Sequence, residues 1–221
     1  YEQLLAEKEI SESLLLNAMP SRIIALMKAG RENPIEELPE VGVLFADIVG
    51  FTEVARQCTA ETITLFLQDV FSRFDALCDR YGVEKIKTIG DAYMVSTGAP
   101  STNRNNPLSL AKFALEMLAT VAQIRYPDGR ILSIRIGIHV GPVTAGVIRQ
   151  KKFAYDMWGD TVNIAHRLQS SGVPGHVHVS EIVYSLLKDD LSFIPRGEIE
   201  LKGEGILSTY FMMDKVPNQD I

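Results

Sequence analysis

The sequence is poor in cysteine and contains no long apolar run. Only two cysteines, Cys58 and Cys78, occur in 221 residues, and their separation does not fit the short spacing of paired zinc ligands. So few cysteines indicate a reducing compartment, in which both pack as small hydrophobic residues. No stretch of about 18 apolar residues and no signal-peptide pattern exists, so the sequence predicts no membrane-spanning helix.

Basic residues are outnumbered by acidic ones, 22 to 28, which gives a net charge of −6. Binding to nucleic acid needs a basic surface that displaces counterions, so we expect no nucleic acid partner. The hydrophobic fraction of 46% is enough for the core of one domain with an appendage. Because the sequence begins at Tyr1 and not at Met, we expect a segment of a longer protein, with a sensor or membrane module upstream. We expect this segment itself to be cytoplasmic.

The first 30 residues predict a helix with a loosely heptad-like apolar stripe that Pro20 interrupts. Two interpretations stay open: an amphipathic helix that packs on its own domain, and a parallel two-helix stalk that passes on a signal from upstream. Residues 31–40 are polar and proline-bearing and predict a linker. The main domain is then predicted at 41–215, with residues 216–221 as a tail.

Within the main domain, strand and helix periodicities alternate. A helix capped by Thr59 and ended by Gly82 follows the first strand, and the alternating residues 132–140 predict a strand with one buried and one polar face. The order β-α-β-β-α-β predicts an α/β (α+β) fold. Its core is ferredoxin-like, with the helices on one side of the sheet and further strands and helices added at the C-terminal end.

Two aspartates are predicted at the ends of neighbouring elements. Asp47 ends the first strand, and Gly50 permits a turn that exposes the N–H groups of Phe51 and Thr52 to phosphate oxygens. Asp91 occupies the tip of a hairpin. If the two elements are neighbours in the sheet, the carboxylates can hold two divalent cations about 3.5–4 Å apart, as in phosphoryl-transfer enzymes. Either aspartate alone could be a cap or turn residue, so the pair carries the prediction of a nucleoside triphosphate substrate.

A helix that begins near Asp160 places Asn163 and Arg167 four residues apart, and therefore on one face. Two polar groups on one helical turn can reach the same ligand. Taken alone, Asn163 and Arg167 do not identify the ligand.

Four stretches together resemble the catalytic domain of class III nucleotide cyclases, the adenylate and guanylate cyclases. They are FADIVGFT at 45–52, KTIGDAYM at 87–94, RIGIHVGP at 135–142 and YDMWGDTVNIAHR at 155–167. The resemblance runs from about Val41 to Met213. It implies that two domains join head to tail, with one chain supplying metal-binding aspartates and the other supplying base-reading and transition-state residues. Since all these positions are filled here, it implies a homodimer with two complete sites.

The resemblance also assigns metal and phosphate ligands. It implies two Mg²⁺ or Mn²⁺ ions per site, held by Asp47, Asp91 and the backbone of Ile48. It places four groups on the triphosphate: the amides of Phe51 and Thr52 and the side chains of Arg135 and Lys202.

The remaining assignments concern the nucleoside. The resemblance places Lys87 and Asp156 on the base, with Ile89 and Met157 assigned to the same base-binding site. It implies that Asn163 orients the ribose and that Arg167 neutralises the charge that builds on the α-phosphate.

The identity of the base follows from the donors and acceptors of Lys87 and Asp156. Adenine presents an acceptor at N1 and a donor at N6, whereas guanine presents a donor at N1 and an acceptor at O6. Family guanylate cyclases carry Glu and Cys at these two places. The predicted function is therefore that of an adenylate cyclase, a phosphorus–oxygen lyase that forms 3′,5′-cyclic AMP and pyrophosphate from ATP. Two alternatives stay open: a guanylate cyclase, and a catalytically silent nucleotide-binding or dimerisation module of a signalling protein.

Overall fold

The computed structural model describes residues 19–31, 34–100, 106–149, 153–201 and 205–214. Six helices and eight strands lie in these ranges. In chain order they are α1 (Ser21–Lys28), β1 (Ile35–Ile48), α2 (Phe51–Gln57), α3 (Ala60–Tyr81), β2 (Glu84–Ile89), β3 (Ala92–Thr97), α4 (Pro107–Val121), β4 (Ile134–Arg149), β5 (Phe153–Trp158), α5 (Asp160–Ser170), β6 (Val177–Ser180), α6 (Glu181–Leu187), β7 (Ser192–Leu201) and β8 (Gly205–Met213).

The strands form one sheet in the order β2-β3-β1-β4-β6-β8-β7, and β5 pairs with the far part of β4. Strand β1 lies between β3 and β4 and is antiparallel to both. The first four strands therefore have the order and directions of a split βαβ unit, which confirms the predicted ferredoxin-like core with added C-terminal elements.

Helix α3 has the ends that the sequence predicts. The hydroxyl of Thr59 accepts a hydrogen bond from the Thr62 amide at 3.1 Å, which satisfies one of the free N–H groups at the helix start. Gly82 ends the helix in the left-handed region, with φ +62°. The apolar stripe of α3 buries Val70 and Phe74 against the sheet.

The sheet is covered on both faces, which corrects the expectation that its helices lie on one side. Leu44 and Ala46 of β1 pack in a core with α3, α4 and α6, while Val43 and Phe45 pack in a second core with α1 and α5. Burial on both faces explains the continuous apolar run of this strand. On the face of β4 that the sequence predicts to be polar, Gly137 and His139 are buried as well, and His139 Nδ1 lies 2.7 Å from the Ser180 hydroxyl.

Strand β1 begins at Ile35, so residues 35–40 of the predicted linker are part of the sheet. They pair with β4, Ile35 opposite Gly146. Pro39 lies where the register shifts between Leu38 and Val41, and a proline fits such an irregularity because no ladder hydrogen bond is needed there. The proline therefore marks a bulge within a strand and not a linker.

Helix α1 starts directly after Pro20, and Met19, Ile23 and Ile24 are buried in the second core. This part of the predicted helix 1–30 packs on its own domain. Residues 1–18 and the predicted tail 216–221 lie outside the described residues. No helix in the described part of the chain is long and apolar enough to cross a membrane.

Candidate active site

Asp47 and Asp91 are brought together by the pairing of β1 with β3. Asp47 is opposite Ala92 in the register, and Asp91 precedes Ala92 in the two-residue turn that Gly90 enters at φ +62°. Burial, followed by the negative charge of Asp47, raises the pKa of Asp91. A cation bound between the two carboxylates would relieve this unfavourable effect of the Asp47 charge on Asp91.

Arg135 holds Asp47 from the other side. It faces Asp47 in the β1–β4 register, and its Nη2 donates to Asp47 Oδ2 at 2.8 Å. The buried Nε of Arg135 has no hydrogen-bond partner among the described residues. The sequence predicts Arg135 on the triphosphate. In the structure its guanidinium pairs with Asp47, and a divalent cation or a phosphate would compete for this pair.

The backbone after Asp47 directs one carbonyl toward Asp91. The Val49 amide donates to the Ser133 carbonyl, beside β4, at 2.9 Å. Because N–H and C=O point in opposite directions across a trans peptide, the Ile48 carbonyl points to the other edge of β1, which faces β3 and Asp91. An oxygen donor is thus added to the two carboxylates.

The turn at Gly50 places the start of α2 beside these groups. Gly50 has φ +78°, and its carbonyl accepts from the amides of Glu53 and Val54 at 3.1 and 3.2 Å. The amides of Phe51 and Thr52 come first in the helix, where N–H groups have no intrahelical acceptor. They are the groups that the sequence predicts for phosphate.

The donor set fits a hard divalent cation. Carboxylate and carbonyl oxygens suit Mg²⁺ or Mn²⁺, and Mg²⁺ is commonly held by one or two carboxylates together with substrate phosphates and water. Within the described residues no cluster of three or more His, Cys, Asp or Glu side chains could bind a metal by itself. The chain therefore offers a partial site that phosphate oxygens would complete.

Lys87 and Asp156 form an ion pair between β2 and β5. Lys87 Nζ lies 2.5 Å from Asp156 Oδ2, and the amide of Met157 donates to Asp156 Oδ1 at 2.8 Å. The two side chains line a cavity of about 640 Å³ beside Met19. Ile89 and Met157, which the sequence also assigns to the base, do not line this cavity: Ile89 is exposed, and the Met157 side chain is buried in the second core.

Helix α5 presents Asn163 and Arg167 away from the sheet. Ala165 and Leu168 are fully buried beneath the helix, whereas Asn163 is exposed and Arg167 is half-buried. Neither of these two polar side chains has a partner among the described residues, so both are free to reach a ligand. Lys202, predicted on the triphosphate, lies outside the described residues.

The position of helix α5 on the sheet depends on Gly137, a residue for which the sequence predicts no role. A Cβ on Gly137 would lie 2.1 Å from the Gln169 amide nitrogen and 2.4 Å from the Ala165 carbonyl oxygen. The sequence does contain a signal for this contact: Gly137 lies inside an alternating strand, where a glycine often marks the close approach of another backbone.

Comparisons with known proteins identify the family. A sequence model described as adenylate and guanylate cyclase catalytic domain matches residues 34–214. An adenylate cyclase of Mycobacterium tuberculosis is 42% identical over 211 residues, 95% of this chain and 48% of that protein. The guanylate cyclase soluble subunit beta-2 of Homo sapiens is 38% identical over 212 residues, 95% of this chain and 34% of that protein. The chain therefore spans about half or less of these relatives.

A solved structure agrees with the sequence comparisons. The guanylate cyclase domain of RhGC from Catenaria anguillulae, crystallised with GTP, has a TM-score of 0.78 and 34% identity, over 82% of this chain and 100% of that one. Relatives of both base specificities match, so the comparisons establish a nucleotide cyclase domain and leave the base open. The chain belongs to the family of adenylate and guanylate cyclase catalytic domains.

Proposed function

We propose that this domain is an adenylate cyclase that converts ATP to 3′,5′-cyclic AMP and pyrophosphate. The observation that carries the proposal is the ion pair of Lys87 with Asp156, 2.5 Å apart and lining a cavity. A cyclase that binds ATP or GTP must read the Watson–Crick edge of the base, and this pair offers one donor and one acceptor for that purpose.

The pair complements adenine and opposes guanine. The Lys87 ammonium has three donors, so it can donate to adenine N1 while it still contacts Asp156, whose carboxylate accepts from N6. Guanine would place its N1–H donor against the ammonium and its O6 acceptor against the carboxylate. Each mispaired buried polar group costs about 1–3 kcal/mol, so two mismatches discriminate by orders of magnitude.

In the proposed reaction the ribose 3′-hydroxyl attacks the α-phosphate, and the bond to pyrophosphate breaks. Asn163 orients the ribose, and Arg167 lies against the α-phosphate, where it stabilises the charge of the transition state. Asp47, Asp91 and the Ile48 carbonyl would hold two Mg²⁺ or Mn²⁺ ions. When bound, these ions supply Lewis acidity to the 3′-hydroxyl and to the leaving pyrophosphate.

The triphosphate is held by the remaining groups of the proposal, which are the first two amides of α2, Arg135 and Lys202. Arg135 would leave Asp47 for the phosphates as cations enter, so that each negative group keeps a positive partner. This exchange explains why the two roles of Arg135, on the carboxylate and on the phosphate, are compatible.

We further propose that two copies of the chain form a homodimer with two sites, in which the metal-binding groups of one protomer meet the base-reading groups and α5 of the other. The free side chains of Asn163 and Arg167 support this arrangement, because within one chain they have no partner among the described residues. The relatives extend well beyond the matched region, which supports a longer protein with an upstream sensor, receptor or membrane module.

The test is incubation of the purified chain with ATP or GTP and Mn²⁺ or Mg²⁺ over a range of protein concentrations, with separation of the products by chromatography. We expect cyclic AMP, formed at a specific rate that rises with protein concentration. The Asp47→Asn variant, purified in parallel, controls for a contaminating cyclase. Preferred formation of cyclic GMP would refute the base assignment. No product from a chain that dimerises and binds ATP would favour a silent signalling module.

A further inference from the structure

Tyr126 reaches from the turn before β4 into the loop that follows Asp47. Its hydroxyl donates to the Val49 carbonyl oxygen. The amide of the same Val49 donates to Ser133 at 2.9 Å. Both peptide groups that flank the Val49 Cα are therefore fixed by hydrogen bonds from outside the loop.

These two peptide groups decide where the ligands of the proposed site point. The peptide before Val49 carries the Ile48 carbonyl, and the peptide after it leads into Gly50, whose left-handed conformation starts α2. A rotation of the second peptide would change the turn and thereby the direction of the Phe51 amide. Because φ and ψ are the soft torsions of the backbone, hydrogen bonds to these peptide groups add resistance to such a rotation.

The Tyr126 ring is itself held in place. It is 6% exposed and stacks on Phe66 of α3 with ring centroids 5.3 Å apart. The guanidinium of Arg130 lies 5.8 Å from the ring centroid, and Arg130 also contacts Glu53 of α2 at 3.6 Å. Burial raises the pKa of Tyr126 to about 12, so the hydroxyl keeps its proton at neutral pH and remains a donor.

We propose that Tyr126 is a positioning residue of the cyclase site, and that its hydrogen bond to Val49 fixes the loop that supplies the Ile48 carbonyl to the cations and the amides of α2 to the phosphates. The inference rests on the proposed function for the identity of these ligands. Tyr126 itself does not contact the reacting atoms.

The experiment compares the wild-type chain with Tyr126→Phe, which keeps the stacked ring and removes only the donor. Mn²⁺ binding is measured by electron paramagnetic resonance of free Mn²⁺, in the presence of a non-cyclisable ATP analogue. We expect Y126F to raise the Mn²⁺ dissociation constant roughly three- to tenfold, the effect of one lost hydrogen bond. The Mn²⁺ concentration for half-maximal turnover should rise equally, and the ATP-to-GTP preference should not change.

Tyr184→Phe is the matched control. Tyr184 stacks on Tyr210 with centroids 4.2 Å apart, and its hydroxyl has no hydrogen-bond partner in the described part of the chain. The Tyr184→Phe variant should therefore bind Mn²⁺ as the wild type does. Phe66→Leu is a second test that keeps the Tyr126 hydroxyl and loosens only the support of its ring, and it should give a smaller shift in the same direction.

The outcomes separate this inference from the proposed function. If Y126F and F66L both have the Mn²⁺ dissociation constant of the wild type, the positioning role is overturned, even if the wild-type chain makes cyclic AMP. The role is also overturned if Y126F has lower thermal stability but unchanged Mn²⁺ binding and unchanged Mn²⁺ dependence of turnover, because a purely structural residue gives that result. A third outcome is that the wild-type chain forms no cyclic nucleotide, while Y126F binds Mn²⁺ more weakly than the wild type does. In that case the proposed function fails and the positioning role holds.

Discussion

Gly137 of β4 lies directly against the backbone of Gln169 in α5, so closely that a Cβ atom on Gly137 would be 2.1 Å from the Gln169 nitrogen. The glycine thereby sets how deeply α5 lies on the sheet. Because the same helix carries Asn163 and Arg167, this contact links a packing detail of the strand to the proposed chemistry.

The Gly137→Ala variant should displace α5, since the clashing atoms belong to the helix backbone and cannot rotate away. Overpacking of this kind costs about 1–3 kcal/mol, and a shifted Arg167 should lower turnover at least roughly tenfold. Gly141→Ala is the comparison: its Cβ would be 2.6 Å from the Thr161 hydroxyl, the end of a side chain. Steady-state kinetics and thermal unfolding should show smaller losses of turnover and of stability for Gly141→Ala than for Gly137→Ala. Wild-type turnover in Gly137→Ala would contradict the prediction.

Exchange of the base-reading pair should change the preferred nucleotide. Lys87→Glu with Asp156→Cys replaces the donor by an acceptor and the acceptor by a weak donor, which opposes adenine and suits guanine. We expect the ratio of ATP to GTP kcat/KM to fall by about 30-fold or more, from two mismatches of about 1–3 kcal/mol each. Lys112→Glu, on the exposed face of α4, should leave the ratio unchanged. An unchanged ratio in the double variant would remove the basis of the adenylate cyclase proposal.

Arg167→Ala should lower turnover far more than ATP affinity, because the guanidinium acts on charge that accumulates only in the transition state. Removal of one such group costs about 2.7–4 kcal/mol, or roughly 100- to 1,000-fold in kcat, while KM should change by less than about threefold. Arg80→Ala, whose side chain is 67% exposed, provides the control. A raised KM with turnover intact would show that Arg167 binds ATP and does not act in the chemical step.

Two buried histidines should make the fold sensitive to acid. Burial lowers the pKa of His139 and of His178 from 6.5 to about 4. Between these values the unfolded chain binds protons that the native chain does not, so the free energy of unfolding falls as pH falls from about 6.5 to 4. The loss is about 3 kcal/mol per histidine and is absent above about pH 7.

Urea unfolding at several pH values between 7.5 and 4.5 measures this slope. His139→Gln and His178→Asn should each flatten it, whatever their effect on stability at neutral pH. His176→Gln, at an exposed position, should leave it as in the wild type. An equal slope in all four proteins would show that carboxylates and not these histidines cause the acid sensitivity.

Features that depend on neighbouring residues could be predicted from the sequence. Thr59 and Gly82 gave the ends of α3, and the Gly90-Asp91 pair gave the hairpin. The sequence predicts Asp47 at a strand end and Asp91 in a hairpin turn, and the pairing of β1 with β3 in the structure brings the two carboxylates together. The linker prediction is wrong for residues 35–40, because a proline and several charges are local features, whereas pairing with β4 makes these residues part of a strand.

The amino-acid sequence alone predicts the order of strands and helices, the ferredoxin-like core and the strand-end and hairpin positions of the two aspartates, because periodicity and turn chemistry act over a few residues. Which distant groups meet depends on how the whole chain packs. Lys87 and Asp156 are 69 residues apart and Tyr126 and Val49 are 77 apart, and no local preference specifies such pairs. The Tyr126 contact forms on the face of the sheet covered by the first core, and the packing of α5 on Gly137 forms on the opposite face, so both depend on the packing of the whole chain.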